Sequence, residues 1–134
     1  AAGPRCFYPR RGPDGSSVLG SESRAGGGHI WLRKEGETPV DRGQGYGPCW
    51  HPDGMRVLFS RIEHDAYRVL AADLWSVEVA TGKAVRVTDS VDVAETEPAF
   101  SLDGEQLAFI DAASGEVRVV PSSALFDREG EVGR

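Results

Sequence analysis

The chain has 134 residues, 40% hydrophobic and 27% charged, the balance of one folded unit or part of a larger one, which excludes general disorder. No apolar run approaches the ~20 residues needed to cross a bilayer, so a membrane-spanning helix is excluded. Net charge is -6, with nine Lys/Arg against six Asp/Glu in residues 1–61 and six against fifteen in 62–134.

The chain opens on "AAGPRCF", with no initiator Met, basic n-region or apolar h-region, so a processed or partial chain is expected. Residues 1–8 read as a lead-in strand. From there one frame recurs, Pro-x-x-x-x-Asp-Gly, at Pro9–Gly15, Pro48–Gly54 and Pro98–Gly104, with spacings of 39 and 50 residues. A period of this size marks a repeat architecture of stacked supersecondary units. The units are 9–47 (degenerate), 48–97 and 98–121 (partial), followed by a tail at 122–134.

Each unit begins as a hairpin. The pairs Asp14-Gly15, Asp53-Gly54 and Asp103-Gly104 tolerate positive φ and predict tight two-residue turns. The apolar pairs that follow (Val18-Leu19, Val57-Leu58, Leu107-Ala108) are contiguous, the pattern of strands buried on both faces. A third strand follows, "HIWLR", "DLWSV" or "EVRVV", in which Trp31 and Trp75 share a slot with Arg118. Gly turns at "KEGE" and "ATGK" then lead to a fourth short strand such as "AVRVT". Trp31, Trp50, Trp75, Phe59, Phe100 and Phe109 are the expected packing residues between units. The insert "EHDAYRVLAADL" and the tail beyond Pro121 are the places where helical spacing can be found.

Taken together, "P-x-[FW]-[SH]-x-D-G-x-x-[VL]-x-F", "DLW" and "TGK-x-x-R-V-T" resemble the TolB-like β-propeller repeat. Closely similar repeats occur in the propeller domains of prolyl-oligopeptidase-type peptidases. The resemblance covers most of residues 9–121 and is best in the second copy. Arg11 stands where Trp50 and Phe100 stand, and Gly20 where Phe59 and Phe109 stand. It implies an all-β fold: a partial β-propeller of two to three four-stranded antiparallel blades. It also implies an extracytoplasmic, periplasmic setting.

Propellers close with four to eight blades. An arc of three leaves broad blade faces uncovered, and such faces mark interfaces. The chain is therefore expected to complete a ring with other protein. Two copies could pair, basic half to acidic half, or further blades could come from additional sequence or another subunit.

Chemistry is sparse. No G-x-S-x-G elbow is present, so the serine-hydrolase nucleophile is missing, and no catalytic, cofactor or metal residues are assigned. His51 matches Ser101 of the next copy and reads as a turn cap, while His29 reads as an exposed edge residue. His64 lies between Glu63 and Asp65, but three adjacent residues do not converge on one metal. "GQGYG" (Gly43–Gly47) lacks the following helix of a phosphate loop and reads as a linker. Cys6 and Cys49 could form one disulfide, and lack metal or CxxC spacing. Between Arg86 and Arg118 lie eight acids and no base, which disfavours nucleic acid.

The candidate partner-binding residues are Tyr67, Arg68 and His64, on an insert read as a loop over Ile62–Ala72, with the acids Asp89, Asp92, Glu95 and Glu97. The expected function is a non-enzymatic scaffold or protein-docking segment without cofactors. The alternatives are an accessory propeller fragment of a serine peptidase, or a carbohydrate-binding propeller that uses Trp31 and Trp75.

Overall fold

The computed structural model describes residues 6–13, 15, 17–24, 27–64, 69–88 and 94–125. Among them run the strands β1 (Cys6–Arg11), β2 (Ser17–Arg24), β3 (Gly27–Lys34), β4 (Val40–Gln44), β5 (Tyr46–Trp50), β6 (Arg56–His64), β7 (Val69–Glu78), β8 (Ala84–Arg86), β9 (Glu95–Phe100), β10 (Gln106–Asp111) and β11 (Val117–Pro121). They build three antiparallel meanders: β1-β2-β3-β4, β5-β6-β7-β8 and β9-β10-β11. This is the partial propeller that the repeats predict, with two sheets of four strands and one of three. Residues 123–125 make a single helical turn.

The contiguous apolar runs do what strand geometry requires. Successive side chains on a strand point to opposite faces, so Val57 and Phe59 turn one way and Leu58 the other. Val57, Phe59 and Val77 pack with Leu19, Ile30 and Leu32 of the first sheet. Leu58 and Leu74 pack with Leu107 and Phe109 of the third. The second sheet is thus sealed on both faces, and its side chains are fully buried at Val57, Phe59, Leu74 and Val77. Each such residue contributes roughly 1.5–3 kcal/mol relative to exposure.

The corners differ from expectation. The Asp-Gly pairs do not form two-residue turns; each loop holds five residues between the strands. Gly12, His51 and Ser101 accept a bond from the amide of the glycine three residues on, at 2.9 Å in each case. Positive φ falls on the glycines, 77° at Gly15, 73° at Gly54 and 75° at Gly104, and not on Asp53 or Asp103. Asp53 and Asp103 instead use their side chains: Met55 N–H donates to Asp53 Oδ1 at 2.8 Å and Glu105 N–H to Asp103 Oδ1 at 2.9 Å. An Asx turn of this kind explains the Asp as well as a primed turn would. Asp14 lies outside the described residues.

The corners also nest. A Cβ at Gly54 would rest 3.6 Å from Pro13, and one at Gly104 would strike Pro52 at 2.9 Å. Trp50 lies against Gly12, with its Nε1 donating to the Arg10 carbonyl at 3.0 Å, and Phe100 meets His51 edge-on at 4.9 Å.

The repeat prolines sit at bulges. Gly47-Pro48 opposes Phe59, and Glu97-Pro98 opposes Phe109, where the register slips by one residue. Proline, lacking an N–H, is tolerated at such a place. The residue before it takes positive φ, 55° at Gly47 and 51° at Glu97.

The insert in the second unit is neither a helix nor mainly a loop. Ile62 pairs with Ala72, Glu63 with Ala71 and His64 with Val69, so most of it lengthens β6 and β7. Its polar and apolar residues alternate well enough to continue a hairpin. Tyr67 and Arg68 lie outside the described residues.

Candidate functional site

Equivalent rungs of the three sheets locate the candidate site. Leu19–Leu32, Leu58–Ser76 and Ala108–Val119 are the same cross-strand pair in successive sheets, as are Ser21–Ile30, Ser60–Leu74 and Ile110–Val117. In the first two sheets this face packs on the next sheet, and Leu19, Leu32, Ile30, Leu58, Leu74, Ser60 and Ser76 are buried. In the third sheet nothing among the described residues covers it: Val117 is 67% exposed and Val119 57%. Leu102, at the corner position of Pro13 and Pro52, is fully exposed at 107%.

The opposite end of the arc offers a different surface. Gly20–Trp31 occupies the rung of Phe59–Trp75 and Phe109–Arg118. There a groove of about 910 Å³ is lined by Arg11, Val18, Trp31, Arg33, Glu35 and Glu37 among others. Gly15, in the corner of this sheet, has none of the described residues within 4 Å of where a Cβ would stand.

The ionic groups are structural in geometry. Asp111 is buried and accepts from Ala113 N–H at 3.0 Å, Ala94 N–H at 3.2 Å and Ser114 Oγ at 3.1 Å, with Arg118 at 3.6 Å. These amide bonds, and then the Arg118 charge, hold its carboxyl below the usual range. Asp73 binds Arg86 at 2.9 Å. Arg61 lies 4.2 Å over the Trp75 ring and donates to the Gln44 carbonyl at 3.0 Å; burial lowers its proton affinity. Trp31 donates to Glu22 at 2.9 Å. The Trp31 Nε1 and the Trp75 ring are thus both engaged within the protein.

His51 accepts from Asp53 N–H at 3.1 Å, the cap expected of it, and its Nε2 lies 3.2 Å from Arg56. Its pKa lies below the usual histidine value, chiefly because it is partly buried, with Arg56 adding to the effect and Asp53 opposing it. His29, read as an exposed edge residue, pairs with Asp41 at 3.0 Å. Burial pushes the Cys49 thiol up to about 12, and that thiol is free. Among the described residues no group of three metal-ligating side chains converges.

The sequence candidates do not gather into one place. Glu97 is exposed at its bulge, but Glu95 is 2% exposed. This corrects the reading of Glu95 as a partner-binding acid: strand parity turns it inward, and its backbone carbonyl accepts from Ser60 Oγ at 2.7 Å. Asp89 and Asp92 lie outside the described residues, and nothing is described of the His64 side chain. The residues that sequence reasoning missed are Val117, Val119 and Leu102. Their signal lay in the alignment itself: they repeat positions that are covered in the other copies.

No protein-family model and no curated protein matches the chain. Solved structures do. A putative TolB from Agrobacterium tumefaciens matches at 22% identity and TM-score 0.66, over 88% of this chain and 43% of its own. TolB from Acinetobacter baumannii matches at 19% and 0.57, over 84% and 31%. The β-propeller domain of the Trilobed protease from Pyrococcus furiosus matches at 14% and 0.53, over 87% and 42%. The chain spans less than half the length of each. At these identities the likeness shows the fold, a β-propeller arc similar to those of TolB and of peptidases, as the repeat suggested.

Proposed function

We propose that this propeller segment is a non-enzymatic scaffold that docks protein on the open face of its third sheet. One observation carries the reading: the face holding Val117 and Val119 is exposed, while the equivalent faces of the other two sheets are buried. Apolar surface of this kind gains roughly 25 cal/mol per Å² when covered, and a partner with a matching sheet face would cover it. The mechanism is passive: nested corners and sealed sheets hold the face rigid, so little order is lost on binding. A periplasmic setting belongs to the proposal through the resemblance to TolB-like repeats.

The test is a photo-cross-linking residue placed at Val119 and, separately, at the exposed Lys83. Protein captured from Val119 alone is the expected result, and equal or no capture from the two positions counts against docking. The purified chain should also show no turnover of peptide or ester substrates, and turnover above buffer would oppose the scaffold reading.

A second reading, an accessory propeller of a serine peptidase, is favoured by the similarity to the Trilobed protease propeller. A G-x-S-x-G segment in the same open reading frame would decide for it.

A further inference from the structure

The two ends of the arc fit one another, and the geometry points to a second copy of this chain as the occupant of the open face. The inference rests on the docking reading above and names its partner. Two junctions inside the chain set the rule. At each, a corner residue seats the next corner's glycine: Pro13 beneath Gly54, Pro52 beneath Gly104. At each, an aromatic ending one first strand lies on the preceding corner: Trp50 on Gly12, Phe100 on His51. Continuing that series past the third sheet calls for a glycine over Leu102 and a side chain at the Trp50 slot over Ser101. The first sheet of another copy brings both. A Cβ at Gly15 would meet none of the described residues within 4 Å, and Leu102 is fully exposed. Arg11, exposed, holds the Trp50 slot, and the corner it would reach carries Asp103, whose Oδ1 accepts from Ser101 at 2.6 Å. An Arg–Asp pair replaces the aromatic-on-corner contact, with the basic half of one chain against the acidic half of the other.

The apolar part of the junction follows the same register. Val117, Val119, Ala108 and Ile110 of one copy meet Val18, Gly20 and Trp31 of the other. Such a contact is head-to-tail, and it forms twice in a closed two-fold pair. Three sheets from each chain make a ring of six, inside the range in which propellers close.

Sedimentation equilibrium of the full chain tests this. The expected mass is twice that of the chain. Val119→Asp and Leu102→Glu alter residues exposed in the single chain, so both keep its circular dichroism and melting profile, yet each weakens pairing at least about tenfold. Arg11→Glu weakens it and removes the salt dependence that the native pair shows. Three results overturn the inference: a monomer at every concentration, assemblies that lengthen with concentration, or a dimer indifferent to Val119→Asp and Leu102→Glu. A monomer that still captures a different protein from position 119 removes self-pairing alone and leaves docking intact.

Discussion

Single residues in this protein earn their places at the corners. His51 caps its corner through a ring nitrogen, whereas Ser101 does the same with a hydroxyl in the next unit, where Gln106 N–H donates to its Oγ at 3.0 Å. The two differ in that the ring titrates. Because folding lowers the His51 pKa, the unfolded chain takes up the proton first as pH falls. The stability His51 contributes is therefore complete above the unfolded value of about 6.5 and declines as pH falls through the folded value. The substitution His51→Ser should flatten the dependence of melting temperature on pH between about 7 and 5, leaving the acid-range loss due to Asp53, Asp103 and Asp111, whose pKa values lie below the usual carboxylate range. An unchanged slope in the variant would contradict this. The role of His51 was legible in the sequence from its alignment with Ser101. The burial of Glu95 was not, because an acid in an acidic run looks the same whether its strand turns it outward or inward.

Among the elements, β6 shows how adjacent residues serve different interfaces. Leu58 and Phe59 are neighbours in the chain, yet they belong to separate clusters on opposite faces of the second sheet. Phe59→Ala should cost about 3–5 kcal/mol and Leu58→Ala about 2–5 kcal/mol. Denaturant titration of both singles and the double should give nearly additive losses, since the two side chains belong to separate clusters on opposite faces of the sheet. Strong coupling between them would mean that the faces are not independent. The contiguous "VLF" run made this arrangement readable in advance, as did the Trp31, Trp75 and Arg118 slot. Turn type and insert were misread for identifiable reasons. Asp-Gly suits a primed two-residue turn and equally the last two positions of a four-residue one, and only the bond from Gly54 N–H to the His51 carbonyl separates them. The spacing in "EHDAYRVLAADL" permits a helix, but pairing with β6 overrides so weak a local preference.

At the scale of the whole molecule, the described residues form three sheets in series, and among them only the middle sheet is covered on both sides. Interactions in such an arrangement are between nearest neighbours, so the integrity of the second-to-third junction decides whether the exposed face beyond it stays presentable. That junction contains its own reporter. Cys49 packs against the cluster of Leu58, Leu74, Leu107 and Phe109, and its thiol stays protonated up to about pH 12. Only the thiolate reacts with alkylating agents. At mildly alkaline pH, labelling of Cys49 should therefore proceed no faster than these two sheets part, and its rate, followed by peptide mass spectrometry, becomes a stopwatch for their breathing. Denaturant well below the unfolding midpoint should quicken it if the third sheet can lift away alone; a rate that tracks only global unfolding would mean the arc opens as one body.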